Sequence, residues 1–209
     1  LHKLNLIDYQ LVNNLEPKIE IDNQLSLIYV NELVNFIIEL IEKYGSLAQA
    51  IKNRKSREDN LDYPPRILKI NPQASYKVSE LLEKLQGFKE IYYQNNIFPD
   101  LSNYFDLCLF NTFKSYIPLD NYPRLFKVNA DERGIYVEWA KSVSKGQSSY
   151  STTKPQIIRG NHFHLRKVER FAVIEGNASI KLRKYGTDEV IEYILDGNEP
   201  AYVDMPIWF

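Results

Sequence analysis

Apolar residues recur every three to four positions in two stretches of the first half of the chain. From Asn31 to Gly45 this spacing predicts a helix buried along one broad face, with Asn31 as its N-cap and Gly45 as its C-terminal stop. A second helix is predicted from Ser79 to Phe88, after a short strand at Tyr76–Val78. The charged segment Lys52–Asp62, which has few apolar residues, predicts a loop between them.

After Pro118 the pattern changes to short runs of β-branched and aromatic residues separated by Gly, Asn and Asp. The predicted strands are Leu125–Val128, Ile135–Ser142, Gln147–Thr152, Gly160–Leu165, Glu169–Glu175, Ala178–Lys184, Glu189–Leu195 and Ala201–Val203. Turns are expected at Gly176-Asn177 and Gly186-Thr187. This density of short strands predicts an antiparallel sandwich or barrel, with the boundary between the two parts in Pro118–Pro123.

Composition and charge exclude several classes of protein. The 209 residues are 44% hydrophobic, enough to bury a core, and 26 basic against 27 acidic residues leave a net charge of −1. We therefore expect no nucleic-acid partner. The single Cys108 forms no internal disulfide, and the chain has no apolar run long enough for a membrane span and no signal-peptide pattern. A cytoplasmic protein without a membrane span is the expectation.

Two of the three histidines are separated by one residue. On a strand over Gly160–Leu165, His162 and His164 would point to the same face, and an adjacent strand would bring Glu169 to the same point. Two imidazoles and a carboxylate suit a divalent ion such as Zn, Mn, Fe or Ni, with zinc as the expected ion. The competing interpretation is that both are surface histidines of one strand face.

The spacing around these residues resembles the first cupin motif, in which HxH, a gap of three or four residues, Glu, six residues and Gly follow one another. Here the gaps run from His164 to Glu169 and from Glu169 to Gly176. Many cupins take a fourth ligand from a second motif, P-x-G-x-x-H. Pro206 begins that pattern, Trp208 stands in place of the Gly, and the sequence stops one residue later. We therefore expect an antiparallel, jelly-roll-like cupin domain without its last strands.

A closer resemblance covers most of the β part. Five runs in register resemble the C-terminal cupin domain of the capsular polysaccharide assembly (CapF) family: Lys127–Gly134, Gly146-Gln147, Ser151–Pro155, Arg159–His164 and Lys167–Phe171. That family joins a short-chain dehydrogenase/reductase domain to the cupin. It works on a UDP-4-keto-6-deoxy-N-acetylhexosamine on the way to UDP-N-acetyl-L-fucosamine, with epimerisation at C3 by the cupin and NADPH-dependent reduction at C4 by the reductase.

The resemblance implies an α+β chain in two parts. Leu25–Val34 and Val78–Leu82 resemble the substrate half of extended short-chain reductases, so residues 1–120 are interpreted as the helical C-terminal remnant of such a domain and residues 121–209 as an incomplete cupin domain. No G-x-x-G-x-x-G turn is present, so the dinucleotide site is not expected here. The chain is thus expected to be a fragment, with NADPH bound only by the missing half of its parent, which we expect to be a homodimer.

The implied chemistry leaves residue roles open. Epimerisation next to a ketone needs a base and a positive group that stabilises the enolate oxygen, which a divalent metal supplies. His162 is interpreted as a metal ligand; alternatively it is the base, because Arg-Gly-Asn-His also resembles the Arg-Gly-Leu-His stretch of dTDP-4-keto-6-deoxyglucose epimerases. By that resemblance Arg159 contacts the diphosphate of the UDP-sugar, or else forms a surface salt bridge, and Lys167 is a second candidate. A non-catalytic cupin that binds sugar or mediates dimerisation is the alternative function.

Overall fold

The computed structural model describes residues 2–54 and 69–209, with side chains for 6–45 and 69–209. The fold is α+β with antiparallel sheets, as the sequence predicts. The chain forms two compact units, residues 1–152 and 153–209. Within the described residues no helix has the length and apolar character needed to cross a membrane.

The first unit holds all the helices of the described chain and two small antiparallel sheets. Its helices are α1 (His2–Val12), α2 (Val30–Arg54), α3 (Val78–Phe88) and α4 (Tyr104–Ser115), with a π-helical segment (Lys89–Gln94) and a 3-10 turn (Leu119–Asn121). One sheet pairs β1 (Gln24–Leu27) with β2 (Ala74–Lys77), and the other has the order β3 (Val128–Asp131), β4 (Gly134–Lys141), β5 (Gln147–Ser151).

Helices α1, α3 and α4 enclose the core of this unit. Leu81, Leu85 and Phe113 are fully buried, and Phe88 meets Phe110 edge to face with ring centroids 5.2 Å apart. The leucine spacing that predicted α3 is therefore the spacing of its buried face. Neither α1 nor α4 was predicted, although α4 has a strong local start signal: the Asn103 side chain accepts hydrogen bonds from the backbone N–H groups of the first turn.

Side chains from two directions fix the start of α3. The Glu80 carboxylate accepts a hydrogen bond from the backbone N–H of Lys77 at 2.7 Å. The carboxylate of Asp22, two residues before the start of β1, accepts hydrogen bonds from both the backbone N–H and the hydroxyl of Ser79, each at 2.8 Å. These hydrogen bonds, the backbone one foremost, hold the pKa of Asp22 below its usual value.

The structure corrects the prediction for α2 in two respects. The helix continues past Gly45 to Arg54, because one glycine costs only about 1 kcal/mol and helix-forming residues follow it. The first residues of the predicted loop Lys52–Asp62 are therefore helical, and those from 55 onwards lie outside the described residues. The predicted broad buried face is not buried. Of its six apolar residues, three are exposed and three are half-buried: Val34, Ile37 and Ile41, and Leu33, Phe36 and Leu40.

The second unit consists of two antiparallel strand pairs. Strands β6 (Glu169–Val173) and β9 (Ala201–Met205) form one pair, and β7 (Asn177–Arg183) and β8 (Val190–Asp196) form the other. The predicted turns are confirmed, with φ of +73° at Gly176 and +79° at Gly186. The predicted strand Gly160–Leu165 is wrong, because Gly160 and Asn161 adopt φ of +99° and +58° and the segment has no strand partner.

The boundary between the two compact units differs from the boundary predicted between the reductase remnant and the cupin domain. All named elements after Asn121 are strands, but β3, β4 and β5 belong to the first compact unit. The assignment of 1–120 to a reductase remnant and of 121–209 to an incomplete cupin domain stays a prediction, and part of the first range, 55–68, lies outside the described residues.

Asp8 is an anomaly in the core of the first unit. Among the residues whose side chains the structure describes, Asp8 is the charged residue that is buried, with 0% exposure. Neither of its carboxylate oxygens has a hydrogen-bond partner in that part of the chain. Burial raises the pKa of Asp8 to about 7. Its neighbours on α1 include the buried Ile7, Leu11 and Val12, and its charge also acts on Tyr116, whose pKa is raised mainly by burial.

We expect Asp8→Leu to stabilise the chain in a pH-dependent way. The unfolded carboxyl loses its proton near pH 4 and the folded one near pH 7, so the folded state binds more protons in that window and wild-type stability falls as pH rises through it. The loss is on the order of 4 kcal/mol, and the variant lacks it. Urea unfolding of both chains from pH 4 to 8 measures the difference, and a difference independent of pH would contradict this account.

Candidate functional site

The two closely spaced histidines lie in an irregular segment between β5 and β6. The positive φ values at Gly160 and Asn161 turn the backbone immediately before His162. The chain reaches a regular strand again at Glu169, the first residue of β6. The side chains therefore converge through a loop that ends on a strand, and the two-residue strand period used in the prediction does not apply to His162 and His164.

The structure nevertheless brings the three predicted metal-binding residues together. The imidazole rings of His162 and His164 have centroids 4.8 Å apart and meet edge to face. One possible ligand atom from each of His162, His164 and Glu169 lies within 4.8 Å of the other two. These residues form a cluster with the donor set of a divalent-metal site.

His164 and Glu169 already have the separation that a shared metal requires. His164 Nε2 lies 3.4 Å from Glu169 Oε2. Two ligand atoms about 2 Å from a tetrahedral zinc are themselves about 3.3 Å apart. His164 Nε2 is also buried and has no hydrogen-bond partner in the described part of the chain, which is costly for a polar nitrogen. The donor set and this buried nitrogen fit a metal ion.

His162 differs from the other two members in its access to solvent. It is exposed, whereas the side chain of His164 is 34% exposed and that of Glu169 only 16%. An exposed imidazole next to the cluster is compatible with both roles considered for His162, ligand and base.

The two predicted substrate-binding cations lie in different surroundings. Lys167 forms an ion pair with Glu169, its Nζ 2.6 Å from Oε1, so it belongs to the cluster itself. Arg159 precedes the histidines by three residues and is half-buried. Contact of either residue with a diphosphate stays a prediction.

Tyr185 and Trp208, which the sequence analysis did not select as site residues, are linked to the segment that carries the histidines. The backbone N–H of Trp208 donates to the carbonyl of His164 at 3.4 Å, and the N–H of Tyr185 donates to the carbonyl of Trp208 at 2.7 Å. Rings of Tyr185 and Trp208 pack against Phe163, with centroids 5.1 and 6.1 Å from it. The three aromatic side chains stay 41–67% exposed. These residues lie far apart in the sequence, so no local pattern predicts their contact.

A tyrosine and a lysine with reductase-like spacing occur elsewhere in the chain. Tyr150 and Lys154 have the Tyr-x-x-x-Lys spacing of short-chain reductases. Tyr150 lies in β5 and Lys154 lies beyond the end of that strand. This spacing brings two side chains together on a helix, and Tyr150 and Lys154 do not share one.

Comparison with known proteins agrees with the resemblance noted in the sequence. Residues 129–209 match the family model described as "polysaccharide biosynthesis C-terminal domain". A curated relative from Pseudomonas aeruginosa, UDP-2-acetamido-2,6-beta-L-arabino-hexul-4-ose reductase, is 27% identical over 194 residues, which is 91% of this chain and 47% of that protein.

Two crystal structures match almost the whole chain. CapF with the inhibitor 3-isopropenyl-tropolone has a TM-score of 0.75 at 28% identity, covering 98% of this chain and 55% of CapF. CapF from Staphylococcus aureus has a TM-score of 0.72 at 27% identity, covering 98% and 51%. The resemblance to CapF is confirmed, and the chain spans about half the length of the relatives it matches.

We expect His164→Ala to weaken Zn²⁺ binding by at least about tenfold, since removal of even an outer-shell partner of a zinc ligand costs 10- to 100-fold. Competition with a chromogenic chelator at fixed pH measures the affinity. Glu192→Gln is the control, because Glu192 is an exposed carboxylate of the same unit that is hydrogen-bonded to Ser179. Equal affinities of the wild type and His164→Ala would exclude the cluster as the metal site.

Proposed function

We propose that this chain is part of an enzyme that modifies a UDP-sugar during the synthesis of a polysaccharide precursor. The support comes from two likenesses, one to a UDP-sugar reductase and one to CapF, both extending over more than nine-tenths of the chain. The observation that carries the catalytic part of the proposal is the cluster of His162, His164 and Glu169.

The proposed reaction is epimerisation at C3 of a UDP-4-keto-6-deoxy-N-acetylhexosamine. The C3 proton is acidic because it lies next to the C4 ketone, and its removal and return on the opposite face inverts that carbon. A divalent metal bound by the cluster, with zinc as the proposed ion, would supply Lewis-acid stabilisation of the negative charge on the ketone oxygen. Glu169 and His164 are the partly buried pair suited to hold the ion.

His162 is the proposed catalytic residue closest to solvent. Its imidazole is exposed beside the ring of His164, so a sugar approaching the cluster meets it first. As a base it would take the proton from C3; as a ligand it would complete a three-residue metal site. Arg159 and Lys167 are the proposed contacts of the substrate's diphosphate, whose two negative charges require cationic partners.

The remaining part of the proposal concerns the parent protein. Residues 1–120 would be the substrate half of a short-chain reductase domain, as the likeness to CapF and to a UDP-sugar reductase supports. The C4 ketone would then be reduced with NADPH by residues of the parent that this chain lacks, since it has no glycine-rich dinucleotide turn. We place this parent in the cytoplasm as a homodimer.

One observation favours the alternative of a non-catalytic sugar-binding module. The exposed rings of Phe163, Tyr185 and Trp208 touch one another close to the histidines. Aromatic surfaces of this kind are suited to stacking against ring-shaped ligands. A module that binds the sugar without exchanging its C3 proton would use the same surface.

We expect the chain to catalyse exchange of the C3 proton of the UDP-4-keto sugar with solvent. Proton NMR in D₂O measures the exchange, and His162→Gln should slow it by about 100-fold or more, the usual contribution of a general base. If His162 is a ligand, the same variant also loses Zn²⁺ affinity; if it is only the base, its Zn²⁺ affinity is unchanged.

The control for this experiment is Glu192→Gln, which should exchange the proton as the wild type does. Saturable binding of the sugar nucleotide with exchange no faster than in buffer would favour the binding module. Absence of both binding and exchange would contradict the enzyme and the module alike.

A further inference from the structure

Lys167 places its ammonium group against the carboxylate that is proposed to bind the metal. We propose that Lys167 is a built-in competitor of the divalent cation, which occupies Glu169 in the metal-free protein and lowers the affinity of the site for the ion. This inference rests on the proposed metal site and assigns to Lys167 a role that the diphosphate prediction does not include.

The geometry shows how one carboxylate serves two partners. Glu169 Oε1 lies 2.6 Å from Lys167 Nζ, while Oε2 lies 3.4 Å from His164 Nε2. The ammonium group is therefore on the opposite oxygen from the imidazole. Lys167 and Glu169 are two residues apart on either side of Val168, which is 96% exposed. The chain thus turns both charged side chains toward the cluster and leaves Val168 in solvent.

Two effects of Lys167 on cation binding oppose each other. By holding Glu169 in place it favours binding, but an ion pair of this kind is worth little when the lysine side chain is 56% exposed, less than about fivefold in an equilibrium constant. By its charge it opposes binding, because a divalent ion on Glu169 repels the ammonium group, so the lysine must give up the ion pair and move into solvent. Once it has moved it no longer holds Glu169 in place, so what remains is the cost of the broken ion pair, and removal of the charge should tighten binding by up to about fivefold.

A second consequence concerns the lysine itself. A cation that takes Glu169 repels the ammonium group, and the side chain, already more than half exposed, has open solvent to move into. Its amine should then react faster with an acylating reagent when the metal is present than when it is absent. This readout reports on Lys167 directly and does not depend on enzymatic activity.

The test compares Zn²⁺ affinities of five chains, the wild type, His164→Ala and three lysine variants, by competition with a chromogenic chelator at fixed pH and low salt. Lys167→Met removes the charge but keeps an unbranched chain, and should bind Zn²⁺ about threefold to fivefold more tightly than the wild type. Lys167→Arg keeps the charge and should bind within about twofold of the wild type. Lys181→Met is the matched control, because Lys181 is 61% exposed and pairs with Glu192 at 3.5 Å in the same unit; its affinity should not change.

The outcomes separate this inference from the proposed function. If the wild type binds Zn²⁺ through His164 but Lys167→Met binds it equally or more weakly, the competitor role is wrong and the metal site stands. Binding that does not depend on His164 in any chain overturns both. Thermal unfolding of each variant checks that the exposed substitutions leave the fold intact, and acylation of Lys167 followed by mass spectrometry should rise at least about twofold with saturating Zn²⁺; an unchanged rate also overturns the competitor role.

Discussion

The pairing of β6 with β9 is the constraint on which the candidate site depends. Glu169 is the first residue of β6 and lies opposite Met205, the last residue of β9. That register directs the carboxylate toward the histidines and carries the chain beyond Met205 back to them, where Trp208 donates to the carbonyl of His164. A slip of one residue would turn Glu169 to the other face of the pair and dismantle the cluster.

The opposite face of the same two strands holds that register in place. The Arg170 guanidinium makes two hydrogen bonds to the Asp204 carboxylate, at 2.6 and 2.8 Å, and lies 3.7 Å above the ring of Tyr202. Arg170 and Asp204 are direct partners across the pair, so this bidentate contact is satisfied in one register only. The same contact holds the pKa of Asp204 below its usual value. An exposed ion pair of modest stability therefore contributes more to the specificity of the site than to the stability of the fold.

The sequence predicted which residues form the cluster better than it predicted the backbone that carries them. His162, His164 and Glu169 were identified from residue type and spacing, and the strands on either side of Gly176 and Gly186 were predicted closely. The strand over Gly160–Leu165 failed because the prediction followed the alternation of the side chains and did not use the local turn signal of Gly160-Asn161, two residue types that readily adopt positive φ. The prediction that the apolar face of α2 is buried failed for a different reason. Periodicity shows that a helix face is apolar, but its burial depends on whether another segment covers it. The contact of Trp208 with His164 joins residues distant in sequence, which local patterns do not record.

Both units contain a carboxylate in unusual surroundings, and the difference between them has a physical basis. Asp8 has no cation or hydrogen-bond donor within reach in the described chain, so burial alone acts on it and the protonated form is favoured. Glu169 is less buried and has Lys167 on one oxygen and His164 near the other. The ion pair with Lys167 offsets part of the cost of taking a carboxylate out of water, and a carboxylate oxygen is a ligand that a divalent ion accepts. The lysine that competes with the ion is thus also the group that compensates the charge of Glu169 in the metal-free protein.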